Sequence, residues 1–587
     1  MDKDSLIFRA IERGLWEPFQ VPSYRYDREF DVDRAAFTQA LKRVWLGRDW
    51  VQHAVMADAF VRGARPDPKH LARLCFALAA TGRHEQAVEL LKSYRNEAGE
   101  TSRYWFDLAS ALAGAGRLKE ASKALRTCLE LEPGLDWALA LRAELAPMLK
   151  LEKAIEDSAE WGYHRDLIER LVKFGALRRA AEVARLYLHR RRQIDPRQLE
   201  PMLAATQFAL AMLAPEEAFS MVGDLQYAYP EGPERRLLAS TQRLMLGEET
   251  AKAALAADQE CEQDRSLRVT TALALLVAGK RAPAIERAGR VGERFKTSWD
   301  GRLMLAHAIS QEVLARHPVA YRSGGGRKIF NLVTFNNERD LLRAKLTEEA
   351  PWVDHFVIVE ANQTFTGIPK PLYFEAWKSE FAEFQDKIIH VKVESFPEWA
   401  TTPWARDFYQ RDMAIVGASG LWGVDDLVLI TDADEILDRS VVEGFDGEYA
   451  AMLMETFRYF LNYHSTQGAA HTGVVIRAKY LQRFSPSYAR FVLRSSRYLR
   501  NLEPCGWHFT SMADPAGLAA KMRSYAHQEH AHMDQAYFEK MFAKIRSGRE
   551  QALWEFWPID ERYPASIRQN REQLKDLILP VEDLATA

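Results

Sequence analysis

The chain changes rhythm once. From about residue 68 to 315, apolar positions recur every three or four residues in short stretches rich in Ala, Leu, Arg and Glu, with Gly or Pro at the breaks. That spacing places the apolar side chains on one face of successive amphipathic helices and predicts an all-helical half. At Ser323-Gly324-Gly325-Gly326 the helical pattern stops, and a triple glycine suits a joint better than the interior of an element. Beyond it come short apolar runs, Ile329 to Phe335, His355 to Glu360, Ile388 to Val393 and Leu427 to Thr431, separated by helical stretches. Strands alternating with helices predict a Rossmann-like α/β fold with a mostly parallel sheet. The expected division is a helical segment over 1–67, helical repeats over 68–315, a glycine-rich linker over 316–327 and an α/β domain over 328–587.

Within the helical half, Leu78 to Ala87 is echoed by Leu112 to Ala121, and the glycines of the two copies, Gly82 and Gly116, lie 34 residues apart. This is the tetratricopeptide period. Ala121, Leu125, Cys128 and Pro133 continue the second copy in the order of small and large packing positions closed by a helix-stopping proline. Later junctions, Lys173-Phe174-Gly175 and Ala278-Gly279-Lys280, leave that register, so the rest of the array is expected to be repeat-like in style. Stacked helix pairs form concave surfaces that hold peptides or proteins. The arm therefore reads as a site for an acceptor or partner protein, or as a plain scaffold.

Composition narrows the function. A formal net charge of −3, with 27% charged residues, supplies no basic field for nucleic acid. The four cysteines, Cys75, Cys128, Cys261 and Cys505, are far apart and make neither a zinc ribbon nor a disulfide framework. No apolar run approaches the ~20 residues that span a bilayer. These features lead to the expectation of a soluble, cytoplasmic protein with no integral membrane segment.

The fourth strand run delivers Asp432-Ala433-Asp434-Glu435 at its C-terminal end, where open α/β sheets place their ligands. Two acids one residue apart can share Mg²⁺ or Mn²⁺ and leave open positions for diphosphate oxygens, which a nucleotide-sugar donor requires. An Asp-x-Asp alone is weak evidence, since Asp31-Val32-Asp33 repeats it ahead of a helical pattern, where its carboxylates suit a helix cap. Strand context separates the two pairs.

Several motifs occur in order between Lys328 and about His532: Phe335-Asn336-Asn337-Glu338 with Asp340-Leu341-Leu342; Val357-Ile358-Val359-Glu360-Ala361-Asn362 running through Thr364-Phe365-Thr366-Gly367 to Lys370-Pro371-Leu372; Asp386-Lys387-Ile388-Ile389; Asp432-Ala433-Asp434-Glu435-Ile436; and Gly506-Trp507-His508-Phe509. Together they resemble glycosyltransferase family 17, the β-1,4-mannosyl-glycoprotein β-1,4-N-acetylglucosaminyltransferases. The resemblance implies a GT-A fold, a nucleotide-sugar donor such as UDP-GlcNAc, a divalent metal, and inversion at the anomeric carbon. It covers a little over a third of the chain and leaves the arm untouched. The animal members are membrane-anchored Golgi enzymes, whereas this chain shows no anchor pattern and is expected to be of bacterial type.

On that footing Asp432 and Asp434 are the expected metal and diphosphate residues, with Glu435 behind them. His508 is the expected third ligand, and His527 a second candidate for it. Glu360 and Asn362, after the second strand, are placed at the nucleoside, although Glu360 reads equally as a surface acid at a strand end. Asn336, Asn337 and Glu338 suit a donor loop or an ordinary helix start. Arg406 and Arg411 precede the metal strand, and either can fork onto a diphosphate. For the base that takes the acceptor proton, Glu529 leads, with Glu503 and Glu455 behind it. Trp507, Tyr459 and Tyr463 are candidates for stacking on an acceptor sugar.

The favoured reading is an inverting glycosyltransferase that moves a sugar, GlcNAc first, to a glycan or glycoprotein recruited by the repeats. The alternatives are a tetratricopeptide-type scaffold carrying an inactive GT-A domain, and a nucleotidyltransferase, which would release pyrophosphate.

Overall fold

The computed structural model describes, with brief interruptions, 84–174, 215–294 and 299–579, together with a few positions of 75–83 and 175–214. The expected N-terminal segment over 1–67, the Asp31-Asp33 pair and Gly82 lie outside the described residues. The chain divides into two compact units, Met1–Lys280 and Arg281–Ala587. No helix among the described residues is long and apolar enough to cross a membrane.

The first unit is all helix where described. Helix Ser102–Gly114 starts on Thr101, whose hydroxyl accepts from Tyr104 N at 3.2 Å, and turns through Gly116 at φ 77° into helix Leu118–Leu131. Arg117 N donates back to Leu112 O at 2.8 Å, a closure that only a residue tolerant of left-handed backbone permits. Gly247 and Gly279 end their helices the same way, with Glu248 N on Arg243 O and Lys280 N on Leu275 O. The expected packing positions Ala121, Leu125 and Cys128 are all buried. Gly114 is small for a separate reason, since a Cβ there would lie 2.1 Å from the His84 ring.

The second unit opens with helices α1 (Arg281–Arg294) and α2 (Trp299–Arg316), before the glycine run expected to be the joint. Both pack within this unit. A Cβ on Gly289 of α1 would lie 3.0 Å from Thr402. Ser310 of α2 accepts from Ser485 N at 3.0 Å, and His307 lies ring to ring with Tyr488 at 5.2 Å. The 316–327 stretch is tied down as well: Arg322 reaches Gly326 O and Asp426, and Asp426 accepts from Lys328 N. The expected linker thus lies inside the second unit, because Arg322 and Asp426 supply the hydrogen bonds that a free glycine joint would lack.

Strands β1 (Ile329–Thr334), β2 (His355–Ala361), β3 (Ile388–Val393) and β4 (Leu427–Asp432) form a parallel core in the order β3-β2-β1-β4. Helices α3 (Arg339–Glu349), α4 (Tyr373–Trp377) and α5 (Pro403–Asp412) fall in the connections between them. β1 and β4 are buried almost end to end, which explains their largely apolar sequences. The sheet continues antiparallel through β8 (Ala470–Arg477), β6 (Tyr449–Arg458), β7 (Tyr463–Ser465) and β10 (Trp554–Phe556). A short β5 (Glu435–Leu437) pairs with β9 (Gly506–Thr510), which also lies parallel to β6. Helices α6 (Pro486–Ser495) and α7 (Pro515–Ser524) complete the parts that carry the site.

Candidate active site

β1 and β4 run side by side with Thr334 opposite Asp432, so their C-terminal ends open together onto one cleft of about 450 Å³. Asp432, Ala433 and Asp434 line it, together with Asn336 and Glu338 from the loop after β1. The two acids of the pair have different surroundings. Asp432 Oδ1 accepts from Arg411 Nη1 at 2.7 Å, and Oδ2 accepts from Arg490 Nη2 at 2.7 Å. Against the upward push of burial, these two guanidiniums hold its carboxyl well below the usual carboxylate range. Asp434 has no such pairing. Lys521 Nζ stands 4.0 Å from Oδ2, and burial, with Asp432, Glu338 and Glu435 nearby, pushes its pKa up to about 7.

His508 arrives on β9, whose pairing with β5 sets it opposite Glu435. Its Nε2 lies 3.8 Å from Asp434 Oδ1, and burial pushes the imidazole down to about 4, leaving it neutral with a lone pair to offer. A carboxylate oxygen and a neutral imidazole facing each other across an open cleft suit one divalent cation with free positions for phosphate oxygens. Among the described residues no group of three His, Cys, Asp or Glu is arranged to hold a metal. Asp432, expected to hold the metal together with Asp434, instead has one arginine on each carboxylate oxygen, which leaves Asp434 and His508 facing each other.

Glu435 stands behind the pair, fully buried, as expected: its Oε2 accepts from Asp432 N at 3.0 Å, and Oε1 accepts from Arg490 Nη2 at 2.6 Å. Glu338 folds back onto its own loop, taking Asn336 N and Asn337 N on one oxygen at 3.1 and 3.0 Å. Asn336 and Glu338 line the cleft, while Asn337 does not. Lys370 also lines it, and its buried Nζ makes no hydrogen bond among the described residues.

Other expected residues lie elsewhere. Glu360 is fully buried and caps α4, accepting from Phe374 N and Glu375 N at 3.0 Å each and meeting His390 Nε2 at 2.8 Å. Those three bonds occupy its carboxylate, so it does not face the cleft. Asn362 donates to Glu394 O at 2.7 Å, and Arg406 to Phe365 O at 2.8 Å; neither lines the cleft. Tyr459 and Tyr463 are buried in an apolar cluster with Phe538 and Phe542, and Trp507 donates its indole N–H to Arg562 O at 2.8 Å. None of the three aromatics lines the cleft, since apolar burial claims the tyrosines and the indole N–H points to backbone.

Glu529 also stands back, its carboxylate held by His527 and Arg302, while His527 itself lines the cleft. Glu455 is paired with His464 Nε2 at 2.7 Å, and Glu503 lies outside the described residues. The sequence reading missed Arg490, Lys521 and Trp404, which also line the cleft. Arg490 and Lys521 sit on helices with no motif around them, and only the fold turns them toward the acids.

The cleft and its acid pair lie within a segment with known relatives: residues 306–560 match glycosyltransferase family 17. The C-terminal half carries a family 17 glycosyltransferase domain. Over 126 residues the chain is 33% identical to the β-1,4-mannosyl-glycoprotein 4-β-N-acetylglucosaminyltransferases of Rattus norvegicus and Homo sapiens, covering 20% of this chain and 23% of each relative. The match thus spans under a quarter of those proteins' length. Among solved structures, the TPR domain of P58(IPK) aligns over 48% of this chain and 89% of its own, at 13% identity and a TM-score of 0.22, a likeness too slight to bear on the fold.

Proposed function

We propose that the family 17 domain transfers N-acetylglucosamine, with inversion, from a UDP-sugar to a hydroxyl of a glycan or glycoprotein, and that the helical arm holds the acceptor or a protein partner. The observation that carries this reading is the opposition of Asp434 and His508 at 3.8 Å, beside Lys521, at the mouth of β4. GlcNAc is supported by the activity for which the rat and human relatives are named.

A divalent cation, Mn²⁺ or Mg²⁺, would be held by Asp434 and His508 and would supply charge to offset a diphosphate leaving group. Asp432 acts through its neighbours in this scheme: it fixes Arg411 and Arg490 at the cleft wall, where N–H groups of Arg411 not spent on carboxylates can meet phosphate oxygens while Arg490 supplies charge from behind. Lys370 and Lys521 add two ammonium groups on the same surface. The protein thus presents preorganised positive charge where negative charge gathers as the sugar departs.

The test is calorimetric titration of UDP with and without Mn²⁺, joined to an assay for UDP release from UDP-GlcNAc. Metal-dependent UDP binding and slow UDP release are expected. Equal UDP affinity with and without metal would remove the cation from this scheme, and pyrophosphate as the product would replace sugar transfer with nucleotidyl transfer.

A further inference from the structure

Four side chains from three distant parts of the sequence close a ring on one wall of the cleft. Arg302 of α2 lays its guanidinium over the Trp404 ring, 4.4 Å from the centroid, and its Nη2 donates to Glu529 Oε1 at 3.2 Å. The same Oε1 meets His527 Nδ1 at 2.8 Å. The His527 ring then returns to Trp404, edge to face, with centroids 4.7 Å apart. Trp404 and His527 line the cleft, and Arg302 and Glu529 stand behind them.

This arrangement sets the tautomer. A carboxylate at Nδ1 keeps the proton on that nitrogen, so Nε2 carries the lone pair. His527 Nε2 has no hydrogen-bonding partner among the described residues. Packing on Trp404 and the bond to Glu529 restrict the ring to one orientation. An imidazole oriented by an acid and open on its other nitrogen is the usual design for taking a proton from a hydroxyl nucleophile.

We propose that His527 Nε2 is the base of the transfer reaction, with Glu529 and Arg302 as positioning residues, an inference that rests on the glycosyltransferase reading above. In the step, the acceptor O–H gives its proton to Nε2, and the freed oxygen pair forms the new bond to the anomeric carbon. The bond from that carbon to the diphosphate oxygen breaks, and its electron pair leaves with the nucleoside diphosphate. His527 becomes an imidazolium facing the Glu529 carboxylate, which offsets the new charge.

Electrostatics agree with this role. Burial pushes the His527 pKa below its ordinary value, with Arg302 adding to the shift, while Glu529 and Asp407 oppose it. The ring is therefore neutral at pH 7 and able to accept. Burial would raise the Glu529 carboxyl, but its bond to His527 and the Arg302 charge bring it below the ordinary value, so it stays ionised. Among the described residues, Tyr525 and His530 also stand beside the ring, with centroids at 5.4 and 6.3 Å.

The experiment follows turnover of UDP-GlcNAc by the full chain with water as acceptor, alongside UDP binding in Mn²⁺ and thermal melting. His527→Gln is expected to lower kcat by about 10²–10⁴ while UDP affinity stays within roughly threefold. Added imidazole should restore part of the turnover of His527→Ala, which a merely structural histidine would not allow. Because neutral His527 is the active form, kcat rises with pH through its pKa. Glu529→Gln removes a group that raises that pKa, so the acid limb should move to lower pH and kcat should fall about tenfold with KM unchanged.

Full turnover by a folded His527→Gln enzyme overturns the assignment, as does a kcat loss in Asp407→Asn with His527→Gln silent. A wild-type chain that neither binds UDP nor releases it overturns the glycosyltransferase reading and this one with it. UDP binding and release that persist, indifferent to His527, overturn this one alone.

Discussion

Asp432 and Asp434 are indistinguishable as letters, one residue apart at the end of a buried strand, yet their surroundings divide their work. Asp434→Asn removes a carboxylate that burial already pushes toward neutrality, so the fold should survive while turnover of UDP-GlcNAc falls on the order of 10²–10³ with loss of the metal response. Asp432→Asn instead leaves Arg411 and Arg490 short of their counter-charge, and because the Asp432 side chain is 32% exposed the stability cost is set at about 1–3 kcal/mol. Melting and turnover measured on both variants check this; an Asp432→Asn protein as stable as wild type, or an Asp434→Asn enzyme at full rate, contradicts the division. The motif announces both acids, but the arginines that separate them come from α5 and α6, 21 and 58 residues away. The pair at Asp31 and Asp33 lies outside the described residues, so its expected role as a helix cap rests on sequence alone.

The turn between β4 and β5 is held from behind by a polar chain with no exposure to solvent. Lys345 on α3 donates to Glu349 Oε1 at 2.9 Å and to Glu435 O at 2.5 Å. Glu349 also takes Leu437 N at 2.9 Å and Asn331 Nδ2 at 2.7 Å, and Thr431 donates to Asn331 Oδ1 at 2.7 Å. Lys345→Met strands a buried carboxylate and is expected to cost about 3–5 kcal/mol and to weaken metal-dependent UDP binding at temperatures where the protein remains folded. Differential scanning calorimetry with UDP titration decides it; a variant with unaltered stability would show that the chain is dispensable. The parallel strands β1, β2 and β4 were legible because burial on both faces demands largely apolar runs, while β3, at the sheet edge, is only half-buried. β5, β7 and β10, at three residues each, are too short to carry a period, and the β5–β9 and β7–β10 pairings join strands distant in sequence. The histidine of Gly506-Trp507-His508 could be read from its motif, but its approach to Asp434 depends on the β5–β9 pairing.

For the whole molecule, the division falls between Lys280 and Arg281, so the two truncations that bracket α1 and α2 should behave differently. A chain beginning at Arg281 is expected to fold and to retain UDP binding. A chain beginning at residue 316 lacks Ser310, His307 and Arg302, opens the packing against α6, and leaves Glu529 without its arginine. It should melt lower and turn over more slowly. Equal stability and turnover of the two would return the boundary to the glycine run. That run looks like a joint in sequence because glycines advertise backbone freedom, while the bonds that restrain it are made by Arg322 and Asp426, 104 residues apart. Local pattern was enough to determine the helical half, the parallel strands and the acids at the end of β4, since each depends on periodicity or on residues within one turn. Only the tertiary structure decided which acid is paired with arginine, which histidine faces Asp434, that Glu360 caps a helix, and that Glu529 stands behind His527. Those outcomes depend on charges and hydrogen bonds brought together by long-range packing, which no local period records.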